Sequence, residues 1–130
     1  MSFDWNQYYE LAKSLADRDG SPSAEARKRS AISRAYYAAL IQARQKASDR
    51  TGDDIPRGGT HHWTIKKYQK DPVPEAKRIG SHLKRLKKRR ERADYENSVP
   101  RLDSELESAL QEAGTLLSRI NGLPNEQPDY

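Results

Sequence analysis

A chain of 130 residues, 34% hydrophobic and 33% charged, can bury one core and is too short for two ordinary domains. It has no cysteine, which excludes a disulfide framework and thiolate chemistry and suits a reducing, cytoplasmic setting. A net charge of +5 and a pI near 9.5 point to a polyanionic partner, either nucleic acid or an acidic protein surface.

The opening Met-Ser-Phe-Asp-Trp does not read as a signal peptide, and no apolar run reaches the roughly 18 residues of a membrane span, so no membrane association is expected. Trp5, Tyr8, Tyr9, Ala12, Leu15 and Ala16 recur at helical spacing and predict a first helix that Gly20 ends. Its aromatic stripe reads as core rather than as a platform for bases. Ser21-Pro22 supplies a cap and a first-turn proline for a second helix that meets no further Pro or Gly until Gly52. Ala31, Ile32, Ala35, Tyr36, Ala39, Leu40, Ala43 and Ala47 form its inward stripe, and the alanines let neighbouring helices approach closely. Tyr37 faces a neighbouring helix or a second copy of the chain. Arg27, Lys28, Arg29, Arg34 and Arg44 make this helix basic, with Arg34 placed close to the buried sector.

The stretch from Thr51 to Gly59 is rich in Gly, Asp and Pro and is expected to be a mobile loop. Thr60 to Tyr68 predicts a short helix closed by Asp71-Pro72-Val73-Pro74. His61 and His62 are adjacent, whereas zinc ligands on one helix sit three or four apart, so packing or surface roles are expected and no metal or cofactor. Pro74 and Glu75 open another long helix running to about Tyr95, in which Gly80 marks a close helix contact. Asn97 to Pro100 break the chain. Leu102, Leu106, Ala109, Leu110, Ala113, Leu116, Leu117 and Ile120 then form the cleanest amphipathic stripe, ended by Asn121-Gly122. The pattern predicts an all-α, up-and-down bundle of four to five helices over residues 1–122, followed by a flexible tail over residues 123–130. No phosphate-binding glycine motif and no arrangement for nucleophilic catalysis is present.

The richest stretch is Leu83 to Glu96. From Lys84 to Arg92 every residue except Leu86 and Glu91 is Lys or Arg. Such a run is as a rule a solvated helix face. The register refines this, because the stripe Ala76, Ile79, Leu83, Leu86 continues through Arg90 to Ala93 and turns Arg90 inward. A guanidinium there is costly unless it is paired or opens onto a cleft or partner. Asp94, roughly 40° around the helix, is its nearest local partner, while Tyr95, about 140° away, can approach only if the helix ends or distorts or a second chain supplies it. Lys84, Arg85, Lys87, Lys88, Arg89 and Arg92 read as a generic anion-binding face.

Arg34-Ala35-Tyr36-Tyr37-Ala38-Ala39, Thr60-His61 and Arg90-Glu91-Arg92-Ala93-Asp94-Tyr95 together resemble a small prokaryotic HEPN-domain protein, in order and spacing over about residues 5–120. The resemblance implies a helical bundle that is usually homodimeric, with the helices bearing the basic run facing each other across the two-fold axis. Active members are metal-independent ribonucleases with an R-x-x-x-x-H motif. Arg90 matches the motif arginine, and Tyr95 stands where the nuclease has His. A phenol is a poor general base near pH 7. Many such proteins are paired with a small nucleotidyltransferase, which in some pairs modifies a tyrosine two residues beyond the motif His; that position here is Asn97.

Three expectations follow. One is a homodimer that binds RNA or a nucleotide in a basic cleft through Lys84, Arg85, Lys87, Lys88, Arg89, Arg92 and Arg34, serving as one component of a toxin-antitoxin or nucleotidyltransferase pair. Another is a toxin-type ribonuclease with Arg90 on the scissile phosphate and Tyr95 or Asp94 as acid or base. The third is an interaction module whose basic helix meets an acidic protein.

Overall fold

The computed structural model describes residues 4–17 and 24–126. Five helices run in chain order: α1 (Asn6–Asp17), α2 (Ala24–Thr51), α3 (Thr60–Lys70), α4 (Pro74–Tyr95) and α5 (Leu102–Gly122). Among the described residues there is no strand, and no described helix is long and apolar enough to cross a membrane. The expected cap at Ser21-Pro22 and the stop at Gly20 lie outside the described residues.

The central element is α2, which packs against all four other helices. Its small side chains make that possible, for Ala31, Ala35, Ala38, Ala39 and Ala43 are wholly buried and keep neighbouring helix axes close. Ile32 and Tyr36 from α2, Ile79, Leu83 and Leu86 from α4, and Leu116 and Ile120 from α5 fill the centre. From α1, Ala12 is buried, and Tyr9, Leu15 and Ala16 pack on the same core. Trp5 and Tyr8 meet edge to face with centroids 5.0 Å apart.

Helices α3 and α4 touch at the glycine predicted for a close contact. A Cβ on Gly80 would lie 3.1 Å from Tyr68 Cβ and 3.3 Å from the backbone nitrogen of Gln69, so even an alanine there would press the two helices apart slightly. Tyr68 is itself buried and donates its hydroxyl to the Ala43 carbonyl at 2.8 Å, fixing α3 to α2.

Three expectations change. The segment between α2 and α3 is tied down rather than loose: Ser48 Oγ donates to the Asp53 carbonyl at 2.6 Å, and Asp53 pairs with Lys67. The chain beyond Gly122 is not free at once. Leu123 is buried, its carbonyl accepts from Lys46 Nζ at 2.9 Å, and the Pro124 carbonyl accepts from Arg50 at 2.7 Å, so residues 123–125 belong to the folded unit. Arg34 is exposed, whereas Arg27 and Arg50, about two and about four turns away, are the buried arginines of α2.

Arg50 anchors a polar knot in the core. Its side chain is 1% exposed and that of Asp71 is 4% exposed. Arg50 Nε and Nη2 both donate to Asp71 Oδ2, at 3.1 and 2.7 Å, and Asp71 Oδ1 accepts from the Val73 N–H at 2.9 Å. The knot fastens the end of α2, the α3–α4 connection and the residues after α5 to one another, and its satisfied hydrogen bonds are what make burying two charges tolerable.

Candidate functional site

The inward register of α4 holds. Ala76, Ile79, Leu83, Leu86 and Ala93 are buried, and Arg90 continues their line with a side chain only 14% exposed. The cost of placing a guanidinium there is met by a ring of acceptors and aromatic faces. Arg90 Nη2 donates to Tyr37 Oη at 2.7 Å. Arg90 Nε lies 2.8 Å from Asp94 Oδ2, with its N–H off the line to that oxygen, so the contact is an ion pair more than a formed hydrogen bond. The guanidinium carbon sits 5.1, 5.5 and 6.0 Å from the ring centres of Tyr37, Tyr95 and Tyr36. Burial disfavours the charge on Arg90, yet Tyr37, Asp94 and Tyr95 outweigh it and hold its pKa above the ordinary arginine value.

Tyr95 reaches Arg90 because α4 stops there. Glu96 adopts an extended backbone, and the Tyr95 ring, 72% exposed, lies across the guanidinium at the molecular surface. What ends the helix firmly is Arg29 of α2, whose Nη1 donates to the carbonyls of Ala93 and Glu96 at 2.9 and 2.7 Å, with Nη2 donating to that of Asn97 at 3.3 Å. A cation on the last carbonyls of a helix satisfies groups that the helix leaves orphaned and complements its dipole. On the other side, Ser33 Oγ donates to Asp94 Oδ2 at 3.3 Å.

A histidine enters the same cluster from α3. His61 Nδ1 lies 2.7 Å from Tyr36 Oη, and its ring is 5.6 Å from that of Tyr36 and 5.7 Å from that of Tyr37. Burial, and then the nearby charges of Arg90 and Lys87, lower its pKa below the ordinary value of 6.5, so the imidazole is neutral at pH 7. Burial raises the Tyr36 pKa, with Arg90 only partly opposing it, so the phenol stays protonated. The spacing of His61 gave no hint of this placement. Its contacts join residues 25 apart in the chain.

The generic basic face is largely consumed within the fold. Arg89 Nη1 donates to Glu105 at 2.7 Å and its Nε to Glu112 at 3.3 Å, Arg92 reaches Glu105 at 3.1 Å, and Arg85 lies 4.0 Å from Glu112. Burial pushes the Glu105 carboxyl up, but Arg89 and Arg92 win and hold it below the ordinary range. Lys87 pairs with Glu91 one turn on. Only Lys84 and Lys88 of the run are exposed with no ion-pair partner among the described residues. These contacts zip α4 to α5, which the run viewed alone conceals. Arg34 stands apart, its guanidinium 5.4 Å from the Tyr8 ring, but it shares an open groove of about 440 Å³ with Tyr37 and Asp94 and so borders the Arg90 cluster.

No group of three or more His, Cys, Asp or Glu that could hold a metal occurs among the described residues. The cluster instead offers an oriented guanidinium, a neutral imidazole and exposed aromatic surface, a set suited to a phosphate and an adjoining base. No protein-family model, no curated protein and no solved structure matches this chain.

Proposed function

We propose that this chain is a HEPN-like protein that acts as a homodimer and binds the phosphate of a single-stranded RNA or nucleotide at Arg90. One observation carries the reading: the segments around Tyr36-Tyr37, His61 and Arg90 to Tyr95, far apart in the chain, converge on a single guanidinium. Tyr37 and Asp94 fix that group yet occupy only its Nε edge and one Nη2 proton, and among the described residues Arg90 Nη1 has no acceptor. A pre-oriented fork with donors to spare is the arrangement that phosphate recognition uses. Tyr95, exposed beside it, supplies a stacking surface for a base or a contact for the second copy across the end of α4. Pairing with a nucleotidyltransferase, in a toxin-antitoxin or related arrangement, belongs to the same reading.

Titration of labelled single-stranded RNA against wild type and Arg90→Ala tests it. Loss of about tenfold or more in affinity on losing the charged hydrogen bonds is expected. Equal binding by the two proteins would remove Arg90 from the site.

A second reading, RNA cleavage, is favoured by the position of His61. In the tautomer whose Nδ1–H donates to Tyr36 Oη, neutral Nε2 takes the proton of a 2′-hydroxyl. The 2′-oxygen then bonds to phosphorus, and the 5′-oxygen leaves with a proton from water, giving a 2′,3′-cyclic phosphate. Neither Tyr95 nor Asp94 is needed as the base, and Asp94 is already engaged by Arg90 and Ser33. Cleavage in EDTA that is lost in both His61→Ala and Arg90→Ala is the expected result; cleavage that survives His61→Ala would sink this mechanism.

A further inference from the structure

Arg85, Arg89 and Arg92 of α4 are met by acids of α5, and besides Lys84 and Lys88 there are cations without an acidic partner elsewhere among the described residues. Lys66 and Lys70, four residues apart on α3 and both exposed, have no ion-pair partner among the described residues. They line a pocket of about 420 Å³ together with His62, Trp63 and the Gly58-Gly59 backbone, and no carboxylate lines it. Lys67, also on its wall, lies with Nζ 5.5 Å from the Trp63 ring and is held by Asp53, which keeps the segment before α3 in place as the pocket's far side. Trp63 packs against the core and is half-buried, so its ring is a fixed platform rather than a loose surface group.

We infer that this pocket is a second nucleotide subsite, in which one base of a single-stranded RNA stacks on Trp63 while Lys66 and Lys70 take the flanking phosphates. The inference rests on the RNA reading given above and extends it to a named surface. A volume of this size suits a small ligand, and a rigid aromatic ring beside paired lysines is the chemistry that holds single strands without reading their sequence. An acidic peptide would use the lysines but leave the indole without a purpose. His61, in the Arg90 cluster, and Trp63 are two residues apart on α3 and so point about 160° apart around it, which makes the pocket a site separate from the Arg90 cluster.

The experiment follows the two tryptophan indole N–H signals, Trp5 and Trp63, by NMR in the full chain during titration with a single-stranded oligouridylate of about twelve nucleotides. Trp63→Phe assigns the signals. The Trp63 signal is expected to shift with saturation, and Lys66→Gln with Lys70→Gln to weaken binding about tenfold and reduce the slope of log affinity against log salt by about 1.4. Both lysines are exposed, so the variant retains the helical circular dichroism of the parent. If RNA binds in an Arg90-dependent way while Trp63 does not respond and the lysine variant binds like wild type, this subsite is wrong and the Arg90 reading stands. If binding depends on Lys66 and Lys70 but not on Arg90, the subsite stands and the Arg90 reading falls. Absence of any RNA binding overturns both.

Discussion

Tyr36 and His61, 25 residues apart, meet at 2.7 Å between Oη and Nδ1 and so join α2 to α3 beside the Arg90 guanidinium. Burial, and then the charges of Arg90 and Lys87, give His61 a pH signature. The folded His61 pKa lies below 6.5, so between the folded and unfolded values the unfolded chain binds more protons and stability rises with pH. Stability is full above 6.5 and is lost as pH falls through the folded value. Urea unfolding at about pH 7.5 and about pH 5 should show wild type weaker at the lower pH, and a smaller difference in His61→Asn. His82, whose pKa burial and then Arg85 also lower, leaves a residual dependence in that variant. In Arg90→Gln the His61 NMR titration should move upward, because a repelling charge has gone; an unchanged titration would separate the two residues.

The Arg50–Asp71 knot gives a stability prediction. Arg50→Met should cost about 3 kcal/mol, because it strands a carboxylate in the core. Asp71→Asn in the same background keeps an acceptor for the Val73 N–H and removes the orphaned charge, so it should recover part of that loss. Chemical denaturation decides it, and a cost under about 1 kcal/mol for Arg50→Met would show that the pair is not a structural anchor.

Arg29 is predicted to position the site without touching a ligand. Arg29→Ala removes the donor from the carbonyls of Ala93, Glu96 and Asn97 and should fray the last turn of α4. Amide hydrogen exchange from about Arg92 to Asn97 should quicken while the middle of α4 keeps its protection. RNA affinity should fall with it, and Arg29→Lys should restore part of both. Unchanged exchange at Tyr95 and Glu96 would assign the end of α4 to some other cause.

Helix positions and the core stripes were legible because each depends on spacing within one segment. The i, i+3, i+7 rhythm is enough to turn Arg90 inward, and the i, i+4 rule is enough to bring Asp94 to it. What spacing cannot reveal is contact between segments. Arg89 and Arg92 looked solvated because their acids, Glu105 and Glu112, sit on α5, although two glutamates seven apart flanking its apolar stripe were a usable hint. For the same reason spacing leaves His61 open between a packing and a surface role. Leu123 reads as tail because Gly122 ends the helix pattern, yet its apolar side chain is buried, and Lys46 and Arg50 hold the carbonyls of Leu123 and Pro124.

The most direct measurement is on the guanidinium itself. The Arg90 Nε–Hε signal, assigned by Arg90→Lys, can be followed by NMR while single-stranded RNA is added to the full chain. Binding at this site predicts a saturable shift of that signal, and a weaker interaction as salt is raised. An Arg90 signal that stays still while RNA binds elsewhere, or an absence of binding at near-millimolar RNA and low salt, would contradict the account.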